Sequence, residues 1–293
     1  MFGFLNIDKA IHKTSRDAVN VVQRIVRPSK IGHAGTLDPL ATGVLAICVG
    51  PSTRLIQYLQ RSSKTYLATF EFGLESDTED KYGTLTQMEK KPISQSDLES
   101  VLPEFVGKIE QMPPKFSAIK VNGQRAYDLA RKGKTVVLKA RPVSIYQIEL
   151  KQYEYPNFQL EICCGTGTYI RSLGRDIARR LETGAVMTKL QRTKIGDLDI
   201  ADAVQAEDLT IDNIESHLIA PQGVLDLKVE NVPNDQLARF VDGHHWETDV
   251  SVPDDELMAV DDAGRLQAIL KRREAGLYTP KINFSKYWAG QAS

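Results

Sequence analysis

Between residues 64 and 72 the chain alternates cleanly enough to place Tyr66, Ala68, Phe70 and Phe72 on one side and Thr65, Leu67, Thr69 and Glu71 on the other. Alternation of this kind predicts a strand. Residues 44–49 are apolar at every position, which predicts a strand covered on both faces. Ala18, Val19, Val22, Ile25 and Val26 instead recur at helical spacing behind Thr14-Ser15-Arg16-Asp17. A hydroxyl followed by an acid is a helix-start signal, so a helix is predicted over residues 15–27.

Similar reasoning predicts a short strand at residues 4–7, a short helix over 52–59 and an amphipathic helix over 94–105. Asn122-Gly123 between extended segments signals a hairpin. Residues 145–150 and 158–164 form a predicted strand pair joined by Tyr155-Pro156-Asn157, and residues 172–181 a basic amphipathic helix. The acidic residues 201–209 and 211–218 are expected to be helical and to close a large domain near Asp226. From about Val229 short alternating runs predict a small β-rich domain.

One stretch resists both periods. Residues 32–43 read Gly-His-Ala-Gly-Thr-Leu-Asp-Pro-Leu-Ala-Thr-Gly. Glycine costs backbone entropy and Pro39 donates no hydrogen bond, so a structured loop is expected. Pro39 also biases Asp38 toward an extended backbone, projecting its carboxylate from a stiff turn. Taken alone, an Asp-Pro pair of this kind does no more than cap a turn.

Composition narrows the class. The 293 residues are 42% hydrophobic and 26% charged, ordinary for a globular protein of this size. No apolar run reaches the roughly 20 residues that span a bilayer, and the N-terminus lacks the features of a secretory signal, so a cytoplasmic protein is expected. Cys48, Cys163 and Cys164 show no metal-ligand spacing and are expected to be structural thiols. The acidic turn at residues 76–80 lacks the register of a calcium loop, so no metal site is expected.

The net charge of −1 conceals a strong asymmetry. Residues 1–196 carry 29 Lys and Arg against 19 Asp and Glu, whereas residues 197–262 carry 2 against 18. Between Lys115 and Arg141 lie eight basic residues and one acid, Asp128, a pattern suited to phosphate contact.

Three blocks together resemble one family. Residues 32–43, the string Pro-Pro-x-x-Ser-Ala-x-Lys-x-x-Gly-x-Arg-Ala-Tyr-x-x-Ala-Arg from Pro113, and Gly-Thr-Tyr-Ile-Arg-Ser-Leu from Gly167 are similar, in order, to the bacterial tRNA pseudouridine-55 synthases of the TruB family. The resemblance extends to Leu190-Gln191-Arg192-Thr193, where Gln191 replaces the first arginine of the family's Leu-Arg-Arg-Thr. It departs also at Ala178, where glycine is common, and at Ala10, where proline usually follows Asp-Lys.

The resemblance implies an α+β fold: a pseudouridine-synthase-type catalytic domain over residues 1–228, on a mixed, mainly antiparallel sheet flanked by helices, and a PUA-like RNA-binding domain over 229–293. It implies Asp38 as the catalytic group, Tyr66 stacking on the target base, Tyr169 packing against the nucleotide and Arg171 pairing with the aspartate. Leu190 would close an apolar wall, His33 would fill the space left by a flipped base, and Lys9 would join the substrate-binding set. The acidic Thr-x-Asp element at residues 78–80 is implied as a structural turn.

The implied reaction isomerises a uridine in the T-arm of tRNA to pseudouridine, without cofactor or metal, in a protein expected to be a monomer with no membrane partner. A non-catalytic tRNA-binding or tRNA-folding protein on the same scaffold is the alternative. A guide-RNA-dependent synthase is a further rival, disfavoured by the compact N-terminus.

Overall fold

The structure is a computed structural model that describes residues 1–88, 92–117, 120–121, 124–125, 138–240, 242–248, 255–274 and 276–291. Its first thirteen strands are β1 (Gly3–Lys9), β2 (Ile31–His33), β3 (Ala41–Val49), β4 (Lys64–Phe72), β5 (Leu74–Ser76), β6 (Leu85–Gln87), β7 (Gly107–Gln111), β8 (Lys120–Val121), β9 (Gln124–Arg125), β10 (Arg141–Glu154), β11 (Asn157–Cys164), β12 (Ala185–Ile195) and β13 (Leu198–Asp199). Nine of them form one sheet in the order β1-β3-β12-β4-β11-β10-β7, with β2 on β3 and β13 on β12. Every pairing is antiparallel except β12 with β3, so the sheet is mixed and mainly antiparallel, as expected.

The continuous apolar run of β3 is explained by what covers it. Leu45, Ile47 and Val49 pack under Val19, Val22 and Val26 of the Ser15–Val26 helix. Val44, Ala46 and Cys48 face the other way and share a core with Met258, Val260, Leu266 and Ile269 of a second sheet. That helix starts where its sequence signal placed it: Thr14 Oγ1 accepts the Asp17 N–H at 3.1 Å and Asp17 Oδ2 accepts the Thr14 N–H at 2.7 Å. A separate core forms where Leu173 and Ile177 of the Ile170–Arg180 helix meet Phe70, Phe158 and Leu160.

The second sheet, of five strands, runs from Lys228 to Asn283, with short helices at Asn234–Phe240 and Ser285–Ala289. This is the β-rich C-terminal region read from its short alternating runs. No helix of the described residues is long and apolar enough to cross a membrane.

Three expectations need correction. Residues 201–218 form only short 3-10 turns, at Ile200–Asp202, Ala206–Asp208 and Ile214–His217. Their backbone is committed elsewhere: Val204 exchanges hydrogen bonds with β1 at Asn6 and Asp8, and Ile219 with Phe4, so the segment lies along the strand instead of coiling. The amphipathic helix predicted over 94–105 is helical at Gln95–Val101 and tightens to a 3-10 turn, Leu102–Phe105, at Pro103. The stretch 32–43 is a loop only in its middle, because His33 belongs to β2 and Ala41 begins β3.

The Asn122-Gly123 turn lies outside the described residues, although the flanking strands β8 and β9 pair around it. Most of the basic run 115–141 lies outside them too.

Candidate active site

The loop bearing Asp38 is tied down from several sides. Ser15, first residue of its helix, accepts the Leu37 N–H at 2.8 Å. Pro39 accepts the His12 N–H at 2.7 Å, and Asp38 itself closes a turn by accepting the Ala41 N–H at 3.0 Å. Arg192, on β12, reaches back to donate from Nη2 to the Gly35 carbonyl at 3.1 Å and from Nε to the Val44 carbonyl at 2.7 Å. Close approach of the two strands is possible because residue 43 is glycine: at its φ of +95° a Cβ would stand 2.2 Å from the Arg192 carbonyl oxygen.

Facing the loop, Tyr169 sits just before the Ile170–Arg180 helix, both of its main-chain groups held by the buried Gln111 side chain at 2.8 and 3.1 Å. In the first turn of that helix, the Arg171 guanidinium lies 3.0 Å from Asp38 Oδ2. Its other contacts are the Thr78 carbonyl at 2.7 Å, the Phe116 carbonyl at 3.2 Å and Asp80 Oδ2 at 3.7 Å. Asp80 is held in turn by the Thr78 hydroxyl at 2.7 Å and the Tyr82 N–H at 3.0 Å. The Thr-x-Asp element is therefore a turn whose acid also faces the arginine.

These groups meet in one cavity of about 260 Å³, lined by Asp38, Tyr66, Tyr169, Arg171 and Leu190 among others. Tyr66 on β4 stands opposite Arg192, and Leu190 stands opposite both Ala41 and Ala68, so three strands supply one wall. Burial pushes the phenols of Tyr66 and Tyr169 above the usual tyrosine range, so both rings, neutral near pH 7 in any case, stay neutral into more alkaline solution.

His33 is placed differently. It lines a wider hollow of about 820 Å³ that shares Asp38 and Arg171 with the inner cavity, and burial holds its imidazole below the usual range. Lys9 is not brought to the cavity lining. It ends β1 opposite Gly43, and its ammonium donates to the Ala10 carbonyl at 2.9 Å and the Lys13 carbonyl at 2.6 Å. Among the described residues no three His, Cys, Asp or Glu side chains converge as a metal site requires.

Sequence reasoning passed over Gln111, the Asp80–Arg171 contact, and Lys64 and Arg192, which line the same cavity. The last was detectable: Arg192 is two residues beyond Leu190 on a strand, so a wall-forming Leu190 puts Arg192 on the same face.

Family models match residues 23–170 to the N-terminal domain of TruB family pseudouridylate synthase, and residues 171–220 to the C-terminal domain of tRNA pseudouridylate synthase B. A relative from Acaryochloris marina called tRNA pseudouridine synthase B is 40% identical over 289 residues, covering 96% of this chain and 98% of its own. One of the same name from Clostridium perfringens is 39% identical over 243 residues, covering 82% and 83%. In fold the chain is similar to a solved Cbf5-Nop10-Gar1 complex, with a TM-score of 0.70 at 22% identity over 97% of this chain and 85% of the other. It is similar also to an H/ACA RNP bound to a substrate RNA containing 2'-deoxyuridine, with a TM-score of 0.69 at 21% identity, over 96% and 84%. With two family models and a 40% identical relative covering 96% of its length, this chain belongs to the TruB family of pseudouridylate synthases.

Proposed function

We propose that this chain isomerises a uridine in the T-arm loop of tRNA, at position 55, to pseudouridine, with Asp38 as the catalytic group. The observation that carries the reading is one shared hollow: a carboxylate at the mouth, fixed by a buried guanidinium, with two neutral aromatic rings and an apolar wall behind it. The relatives named tRNA pseudouridine synthase B support tRNA as the substrate.

A paired base does not reach such a cavity. The nucleotide leaves its stack at a cost of a few kcal/mol, offset by aromatic stacking worth about 1–3 kcal/mol per base. Tyr66 takes the ring face, Tyr169 supports the nucleotide, and Leu190 excludes water on one side. His33, at the wider mouth, occupies the space the base vacates. Asp38 then acts at the sugar, as a nucleophile at C1′ or as a base at C2′. The C1′–N1 bond breaks, the freed ring turns, and C5 bonds to C1′ as the Asp38 carboxylate is released or the C2′ proton returned; C5 then loses its proton and N1 gains one, so the product is an isomer of the substrate. Residues 1–228 are read as the catalytic domain and 229–293 as a PUA-like RNA-binding domain, in a monomer.

The test is to incubate the purified protein with an unmodified T-arm stem-loop and map pseudouridine at single-nucleotide resolution. Product at the one loop uridine supports the proposal. A protein that binds the stem-loop and forms none is a binding protein on this scaffold.

A further inference from the structure

The cavity lining carries three cations, Lys64, Arg171 and Arg192, against one carboxylate, Asp38. Arg171 is committed to Asp38 and faces Asp80. The other two have no carboxylate in ion-pair range among the described residues, although Arg192 is 2% and Lys64 6% exposed. Main-chain carbonyls take hydrogens from both, Gly35 and Val44 from Arg192 and Gln60 and Ser62 from Lys64, and Arg192 is hydrogen-bonded also to the neutral Tyr66 phenol.

Satisfying a carbonyl needs a donor, which a neutral amide supplies as well as a cation. Burying a full positive charge without a counter-ion carries a large desolvation cost, so the charge itself calls for an explanation. The two cations also feel one another. Burial, with Arg192 next in effect, brings Lys64 down to about 8.

The reaction proposed above creates the missing negative charge, by either route. If the Asp38 carboxylate attacks C1′, an ester forms there and the electron pair of the C1′–N1 bond leaves on N1. If it removes the C2′ proton, that C–H pair becomes the C1′=C2′ bond and the C1′–N1 pair again leaves on N1. In each case the detached ring is a uracil anion, its charge spread over N1, O2 and O4. We infer that Arg192 and Lys64 stabilise this anion, so that the cavity is charged for the departed ring and not for the resting nucleoside. Fixed charges of this kind act where charge develops and need no reorganisation at the moment of cleavage. The inference rests on the pseudouridine reading, and asks in addition how the leaving group is held.

A comparison of leaving groups tests it. A T-arm stem-loop with 5-fluorouridine at the target position carries a ring whose electron-withdrawing fluorine already disperses the negative charge. Single-turnover loss of the N-linked nucleoside is measured for both RNAs with the wild type, Arg192→Gln, Arg192→Lys and Lys64→Gln, each checked by thermal melting. Arg192→Gln is expected to lose about 100-fold on uridine, by the measure of a deleted transition-state donor, and less than about 10-fold on 5-fluorouridine. Arg192→Lys, which keeps the charge, recovers most of the uridine rate. Equal losses on the two RNAs, the mark of a merely structural role, overturn the inference while leaving the pseudouridine reading intact. Should Arg192→Gln fail to fold, Lys64→Gln decides by the same ratio. A wild type that consumes neither nucleoside overturns both readings.

Discussion

Asp38 and Arg171 meet at 3.0 Å with opposite exposures, 41% for the carboxylate and 8% for the guanidinium. The cation is the fixed member and the acid the accessible one. Arg171 is held by the Thr78 and Phe116 carbonyls and faces Asp80, so the carboxylate is aimed by a group that is itself anchored on three sides.

This predicts that Arg171→Lys is a damaging substitution despite keeping the charge. An ammonium cannot reproduce the planar fork that serves two carbonyls and a carboxylate. Single-turnover pseudouridine formation should fall about 100-fold or more, as for a misplaced reacting group, while stem-loop binding changes little. An equal fall in both would assign Arg171 to binding.

Gly174 is a second test of the same helix. A Cβ there would stand 2.1 Å from a Phe70 ring atom, so the Ile170–Arg180 helix meets β4 at van der Waals distance only because this residue lacks a side chain. Gly174→Ala should cost about 1–3 kcal/mol of stability through overpacking, and it should lower the melting temperature by several degrees. An unchanged melting temperature would mean that the helix can move away freely.

Much of this was legible beforehand, for reasons that differ by element. The Lys64–Phe72 strand and the Ser15–Val26 helix were readable because local pattern and tertiary burial agree: Ala68, Phe70 and Phe72 are buried, and the capping residues bond as their spacing implies. The meeting of Asp38, Tyr66, Tyr169 and Arg171 was readable only from family resemblance, since it joins three separate parts of the chain. Residues 201–218 misled because their helix-like composition yields to hydrogen bonds with β1. Arg192 was within reach of the pattern, because the pairing of β12 with β4 is regular from Leu190 to Arg192 and places both residues on one face.

Lys9 supplies a prediction on pH. Burial lowers its ammonium from the ordinary 10.5 to about 8. Below about pH 8 both folded and unfolded chains hold the proton, and the folded state bears the full penalty. As pH rises toward 10.5 the folded chain releases the proton while the unfolded chain keeps it, so the penalty is relieved and stability rises. Denaturant unfolding between pH 8 and about 9.5 should therefore show a smaller rise for Lys9→Met than for the wild type. Identical slopes would contradict the burial of this charge.

The thiols give a chemical check on the two-sided burial of β3. Burial pushes Cys48 and Cys164 up to about 12, and the thiolate is the reactive form. Iodoacetamide at pH 8 should leave both unmodified in the native protein and alkylate all three cysteines after denaturation, as read by mass spectrometry. Rapid native labelling of Cys48 would mean that the C-terminal sheet does not cover it.

The accessible carboxylate at residue 38 is proposed to perform the chemistry without being needed for recognition. The direct measurement is pseudouridine formation in a T-arm stem-loop by the wild type and by Asp38→Asn, with binding of the same RNA followed in parallel. Asp38→Asn is expected to bind the stem-loop about as well as the wild type and to form no detectable pseudouridine. Product from Asp38→Asn at a rate near that of the wild type would contradict it.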